Sequence, residues 1–109
     1  MQESVNVNIN GLCFEVIEEA DGKNVWLEED EKGYTQAGLC EFFKQKIYIH
    51  KDLGYKMKRR ILVHELTHAF LFVQGLHNVD LNQEIICDFV ALNYEKIKEL
   101  VDDYFIRKE

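Results

Sequence analysis

The chain of 109 residues contains no proline, and basic side chains are in the minority, with 13 Lys and Arg against 20 Asp and Glu. It also has no apolar run of about 18 residues, the length that a membrane-spanning helix requires. No basic segment followed by an apolar one marks a secretory leader. Generic binding to nucleic acid requires a basic surface. We therefore expect neither a nucleic-acid partner nor a membrane partner.

Cysteine is also scarce. Cys13, Cys40 and Cys87 are odd in number and far apart, and the chain has no C-x-x-C motif. This pattern argues against both a disulfide framework and a thiolate zinc site. Reduced thiols are typical of cytoplasmic proteins, so we expect a cytoplasmic location.

The composition is that of a globular protein, with 47% hydrophobic and 12% aromatic residues. A chain of this length is sufficient for one hydrophobic core. We therefore expect residues 1–109 to form a single domain.

Two hairpins are predicted in the first half of the chain. Residues 4–9 and 12–16 alternate apolar and polar around Asn10-Gly11, the strongest short-range signal for a two-residue hairpin. Residues 38–42 and 46–50 predict a second hairpin. Residues 25–27 predict a short strand, followed by an acidic run that is typical of a solvated loop. The expected register of the first hairpin pairs Ile9 with Leu12, Val7 with Phe14, and Val5 with Val16.

Two helices are predicted in the second half. The first begins near residues 53–57, with Asp52 as its cap, and ends before Gly75. The second covers about residues 82–107, where apolar residues recur every three or four positions. The expected fold is α+β: a small antiparallel or mixed sheet packed against the first helix and a long C-terminal helix. The apolar stripe of the first helix consists of Leu62, Leu66, Ala69, Phe70 and Val73.

The first helix carries the pattern H-E-x-x-H at His64, Glu65 and His68. Residues four apart lie on one face of a helix, so both imidazoles can reach one ion. A catalytic zinc site takes three protein ligands and leaves a fourth position for water. Glu65 is then placed to act as a general base toward that water.

A third ligand is needed to complete such a site. The metzincin pattern requires Gly and His at positions that Leu71 and Gln74 occupy here, which excludes that class. Glu84 is the better candidate, because Asp88 lies four residues later and can accept the free N–H of a liganding histidine. The alternatives are that Glu84 is only an acid favoured by the helix dipole and Asp88 a surface acid. His50 and His77 are weaker candidates.

The motif His64-Glu65-Leu-Thr-His68, followed by Glu84-Ile-Ile-Cys-Asp88, resembles the gluzincin pattern H-E-x-x-H…E-x-x-x-D in the compact form of minigluzincins. It resembles still more closely the small phage and prophage members of the ImmA/IrrE group of metallopeptidases. The N-terminal hairpin and the segment leading into the helix also fit that group. The resemblance implies that Zn²⁺ is bound by His64, His68 and Glu84, with Glu65 as base and Asp88 as the outer partner of a ligand.

We expect the protein to be a zinc metalloendopeptidase that acts on a protein or peptide substrate. The resemblance also implies that a phage or prophage encodes it. An exposed strand edge at residues 38–42 is expected to hold the substrate by strand addition. The alternative is a catalytically latent or inactive zinc-binding protein that acts by interaction. A purely structural zinc site has no use for Glu65. The candidate donors to the developing oxyanion are Tyr48, His77, Tyr94 and Tyr104.

Overall fold

The computed structural model describes residues 3–108, which form a four-stranded mixed sheet and two helices. The sheet order is β1-β2-β4-β3; β1 and β2 are antiparallel, as are β3 and β4, while β2 and β4 are parallel. The predicted α+β fold is confirmed. The elements are β1 (Glu3–Ile9), β2 (Leu12–Glu19), β3 (Gly38–Glu41), β4 (Lys46–His50), α1 (Tyr55–Val73) and α2 (Gln83–Lys108).

The N-terminal hairpin has the predicted register: Ile9 pairs with Leu12, Val7 with Phe14, and Val5 with Val16. Asn10 and Gly11 have φ angles of 50° and 95°. Positive φ at both central residues defines the type I′ turn, whose twist matches that of the flanking strands. The hairpin is therefore determined by local chemistry.

The second hairpin is also confirmed, as β3 and β4, but the predicted strand at residues 25–27 is wrong. Only Trp26 pairs there, in an isolated bridge to Gln36. The N–H of Leu27 donates to the carboxylate of Asp21 at 3.1 Å, and the indole N–H of Trp26 donates to the carbonyl of Tyr34 at 3.1 Å. These bonds fold the segment into a loop.

The main core lies between one face of the sheet and the two helices. A smaller hydrophobic cluster is separate from the main core. It consists of Ile17, Val25 and Tyr48, with Leu39 packed against them. The main core is formed by buried residues from three strands and both helices: Val7, Ile9, Phe14, Val16, Ile47, Ile49, Leu62, Leu66, Ala69, Phe70, Phe89, Ile97, Val101 and Tyr104.

Helix α1 begins at Tyr55 after Gly54, with no side-chain capping bond. The predicted cap at Asp52 is wrong, since Asp52 lies two residues before the cap position and its own N–H donates to Nδ1 of His50 at 3.1 Å. The predicted end is confirmed, because Gly75 has a φ of 76°. The left-handed conformation lets the N–H of Leu76 reach the carbonyl of Leu71 at 2.8 Å.

The C-terminal half of α2 is attached to the rest of the fold by polar contacts. The buried carboxylate of Glu18 accepts from Tyr104 at 2.5 Å and from Lys58 at 2.8 Å, and it also pairs with Lys108. Arg59 of α1 pairs with Asp102 at 2.5 Å. These contacts hold α2 across the sheet. Within residues 3–108, neither helix has the length and apolarity needed to cross a bilayer.

Candidate functional site

His64 and His68 lie side by side on the exposed face of α1, with ring centroids 4.9 Å apart. The apolar stripe of α1 packs against the core, which directs both imidazoles outward. Partial burial, and to a smaller extent the nearby His64, lowers the pKa of His68. The neutral form that this favours is the form that binds a metal ion. The pair therefore provides two suitable nitrogen donors.

Glu65 lies between these histidines in sequence, but its side chain is buried, with 7% exposed. It packs against the start of β3: a Cβ on Gly38 would lie 3.0 Å from Oε2 of Glu65 and 2.6 Å from Cγ2 of Ile61. Burial raises the pKa of Glu65, against a smaller lowering effect of His64. A raised pKa makes the carboxylate a stronger base.

Strand β3 is an edge strand of the sheet and passes directly over Glu65. The outer N–H and C=O groups of an edge strand can pair with an added extended peptide. Cys40 lies on this strand and is half-buried. Burial, with the charges of Glu65 and Glu41, raises the pKa of its thiol to about 12. The thiol therefore stays protonated at neutral pH, which argues against a nucleophilic role.

Glu84 and Asp88 lie in the first two turns of α2 and are exposed. Ile86, two residues from each of them, lines a groove between the helices together with Val63 of α1. Residues two apart do not share a helix face, so both carboxylates project to a different side of α2 from the groove. In the described chain, no group of three or more His, Cys, Asp or Glu side chains is arranged to hold a metal ion.

The structure thus brings together His64, Glu65 and His68, while the roles of Glu84 and Asp88 stay predictions. Two other candidates have structural partners. His50 is buried and its Nε2 lies 2.5 Å from Oδ1 of Asp21. Tyr104 donates to Glu18 in the core. Neither side chain is available to a site on the exposed face of α1.

The groove between the helices has a volume of about 500 Å³, and no sequence pattern predicts it. Ile86 and Val90 fit the apolar period of α2, which is typical of a core-facing side, yet they are 47% and 52% exposed. They face Val63, Thr67 and Leu71 of α1 across the groove. Helical period identifies an apolar face but does not show what covers it.

A cluster of aromatic rings was also not predicted from the sequence. Phe42 stacks on Phe72 with centroids 4.9 Å apart and planes 1° apart. Phe43 and His77 approach Phe72 edge-on at 5.6 Å and 4.9 Å. We call these four residues the aromatic shelf. Two features of the sequence could have indicated this cluster. They are the adjacent phenylalanines after β3 and the spacing of four residues between His68 and Phe72.

Comparison of the chain with protein-family models, with curated proteins and with solved structures found no match.

Proposed function

We propose that the chain is a zinc-dependent endopeptidase whose active site lies on the outer face of α1 beside β3. The observation that carries the proposal is the placement of the H-E-x-x-H residues. His64 and His68 project together from one face, and the intervening Glu65 is buried against an edge strand able to receive a peptide.

The donor chemistry of the histidine pair fits zinc, which binds neutral imidazole nitrogen. His64 and His68 would supply two ligands and Glu84 the third, with Asp88 as hydrogen-bond acceptor for a ligand. Since no group of three or more such side chains in the described part of the chain is arranged to hold a metal ion, this role requires Glu84 and the histidine pair to come closer together than they lie in this structure. When bound, zinc would polarise the scissile carbonyl and make water more acidic.

Glu65 would take a proton from the attacking water and return it to the leaving amine. Its burial removes competing solvent, and its carboxylate lies close to Gly38 at the strand edge. The backbone of β3 would hold the substrate in extended form, which orients the peptide bond toward the base. In this mechanism Glu65 would be the positioned base, and the edge strand β3 would bind the substrate.

The test is cleavage of a peptide library by zinc-loaded protein, read by mass spectrometry, for the native chain and Glu65→Gln. The native chain is expected to cleave, and Glu65→Gln to be slower by roughly 10²-fold to 10⁴-fold, the usual contribution of a general base. Glu95→Gln, at an exposed acid on α2, is the matched control and should retain activity. A folded, zinc-binding Glu65→Gln variant that cleaves at the native rate would refute the mechanism.

A second candidate is a latent or inactive zinc-binding protein that acts by interaction. It is favoured by the open apolar groove between the helices, which could receive a partner. Zinc binding without cleavage of any library peptide, with or without chelator, would favour this alternative.

We also propose that the protein is cytoplasmic. Its resemblance to the ImmA/IrrE group implies that a phage or prophage encodes it. Cys13, Cys40 and Cys87 are free thiols, the state in which the cytoplasm maintains cysteine.

A further inference from the structure

We propose that the aromatic shelf is a specificity subsite for an aromatic or large apolar side chain of the substrate, on the N-terminal side of the cleaved bond. This inference rests on the proposed peptidase function and adds the substrate class that the site would select.

The shelf adjoins both parts of the proposed active site. Phe72 lies four residues after His68, so it occupies the next turn on the same side of α1. Phe42 directly follows Glu41, the last residue of β3. A peptide extended along β3 past Glu65 therefore meets the shelf where the strand ends.

The shelf has the exposure and order expected of a binding surface. The side chain of Phe43 is 89% exposed, although its ring contacts Phe72 edge-on. The parallel stack of Phe42 and Phe72 and the edge contacts of His77 restrict the rings before any ligand arrives. Rigid aromatic surfaces bind apolar groups with little loss of side-chain entropy.

The direction of β3 determines which part of the substrate reaches the shelf. The strand passes Glu65 at Gly38 and ends next to Phe42. A peptide added antiparallel to β3 has its N-terminal part near Phe42. Phe42 and Phe43 follow Gly38 by four and five positions. Because residues of paired strands advance equally, by about 3.3 Å each, the selected side chain lies roughly four to five residues before the cleaved bond.

The test measures binding separately from hydrolysis. Two fluorescein-labelled octapeptides of Ser, Thr and Val, differing only by Phe or Ser at the centre, are titrated into chelator-treated protein and followed by anisotropy. The Phe peptide is expected to bind the native chain roughly threefold to tenfold more tightly, as one aromatic contact provides. Phe43→Ala should remove most of this preference. Leu92→Ala, at an apolar side chain that is 80% exposed on α2, is the matched control and should keep it.

Equal binding of the two peptides, binding of neither, or an equal effect of Phe43→Ala and Leu92→Ala would overturn the inference. Because Phe43 is exposed, its substitution leaves the core intact, and circular dichroism checks this. Cleavage by the zinc-loaded protein judges the peptidase function independently of the binding result.

The orientation is tested by a nitroxide on either end of the Phe peptide, with amide signals of the protein followed by NMR. Antiparallel binding predicts that the C-terminal nitroxide broadens the Gly38 amide and that the N-terminal nitroxide does not. The reverse pattern would overturn the assignment to the N-terminal side of the cleaved bond.

Discussion

At the scale of single residues, Gly38 controls the distance between β3 and α1. In Gly38→Ala the added Cβ would lie 2.6 Å from Cγ2 of Ile61 and 3.0 Å from Oε2 of Glu65, so these side chains or the strand itself must shift. We expect a loss of about 1–3 kcal/mol in the free energy of unfolding, the usual result of overpacking. Urea denaturation measures this loss.

Gly22→Ala is the control for that substitution, because a Cβ there meets only the Ala20 carbonyl, at 3.7 Å. It should change the free energy of unfolding by no more than about 0.5 kcal/mol. Equal stabilities for the two alanine variants would contradict the close approach of β3 to Glu65.

Glu18 makes stability depend on pH. Burial alone would raise the pKa of Glu18, but the bonds from Lys108, Lys58 and Tyr104 outweigh it and lower that pKa below the ordinary 4.5. A carboxyl with a lowered folded-state pKa stabilises the fold above its unfolded-state pKa and loses this effect as pH falls through the folded-state value. We therefore expect the free energy of unfolding to decrease as the pH falls below about 4.5.

The matched variants for this dependence are Glu18→Gln and Glu99→Gln, the latter at an exposed acid of α2. Denaturation between about pH 3 and 7 should give a shallower acid slope for Glu18→Gln, since that carboxyl no longer titrates. Unchanged slopes in both variants would show that Glu18 does not contribute to acid unfolding.

At the scale of elements, local chemistry explains what the sequence could predict. The first hairpin combined an Asn-Gly turn with matched apolar faces, and its register is confirmed. The parallel pairing of β2 with β4 joins segments far apart in sequence, and no local pattern specifies it. The strand predicted at residues 25–27 failed because the side chains of Asp21 and Trp26 bind the backbone in a loop.

The sequence likewise predicts one part of the candidate site and leaves the other parts undetermined. One helix specifies the placement of His64, Glu65 and His68, because residues one turn apart share a face. The position of Glu84 relative to them depends on how α2 rotates and packs against α1, which helical period does not determine. The aromatic shelf depends on contacts between β3, α1 and the loop after α1, so it required the three-dimensional structure.

The orientation of α2 gives a prediction for Glu84. If its first turns move so that Glu84 becomes the third ligand, Glu84→Ala should weaken zinc affinity at least about tenfold, the lower end of effects seen on removing even outer partners of a ligand. A competition titration with a chromophoric chelator measures the affinity. Glu95→Ala, in the same helix, should bind as the native chain does, and equal affinities in both variants would remove Glu84 from the site.

At the scale of the whole molecule, zinc binding by the folded state should stabilise the fold. A ligand at a free concentration 100 times its Kd adds about 2.7 kcal/mol to the free energy of unfolding when it binds only that state. We expect added zinc to raise the Tm of the native chain and chelator to reverse the change. His64→Ala should show no such increase, and a similar increase in both proteins would indicate binding elsewhere.

The proposed zinc site depends above all on the histidine pair of α1, and the metal content of the purified protein reports on that pair. Mass spectrometry of chelator-free protein is to be compared for the native chain, His68→Ala and His77→Ala, the last at an exposed histidine beyond the end of α1. We expect one zinc per native chain, retained in His77→Ala and lost or greatly weakened in His68→Ala. A native chain without tightly bound metal, or full zinc content in His68→Ala, would contradict it.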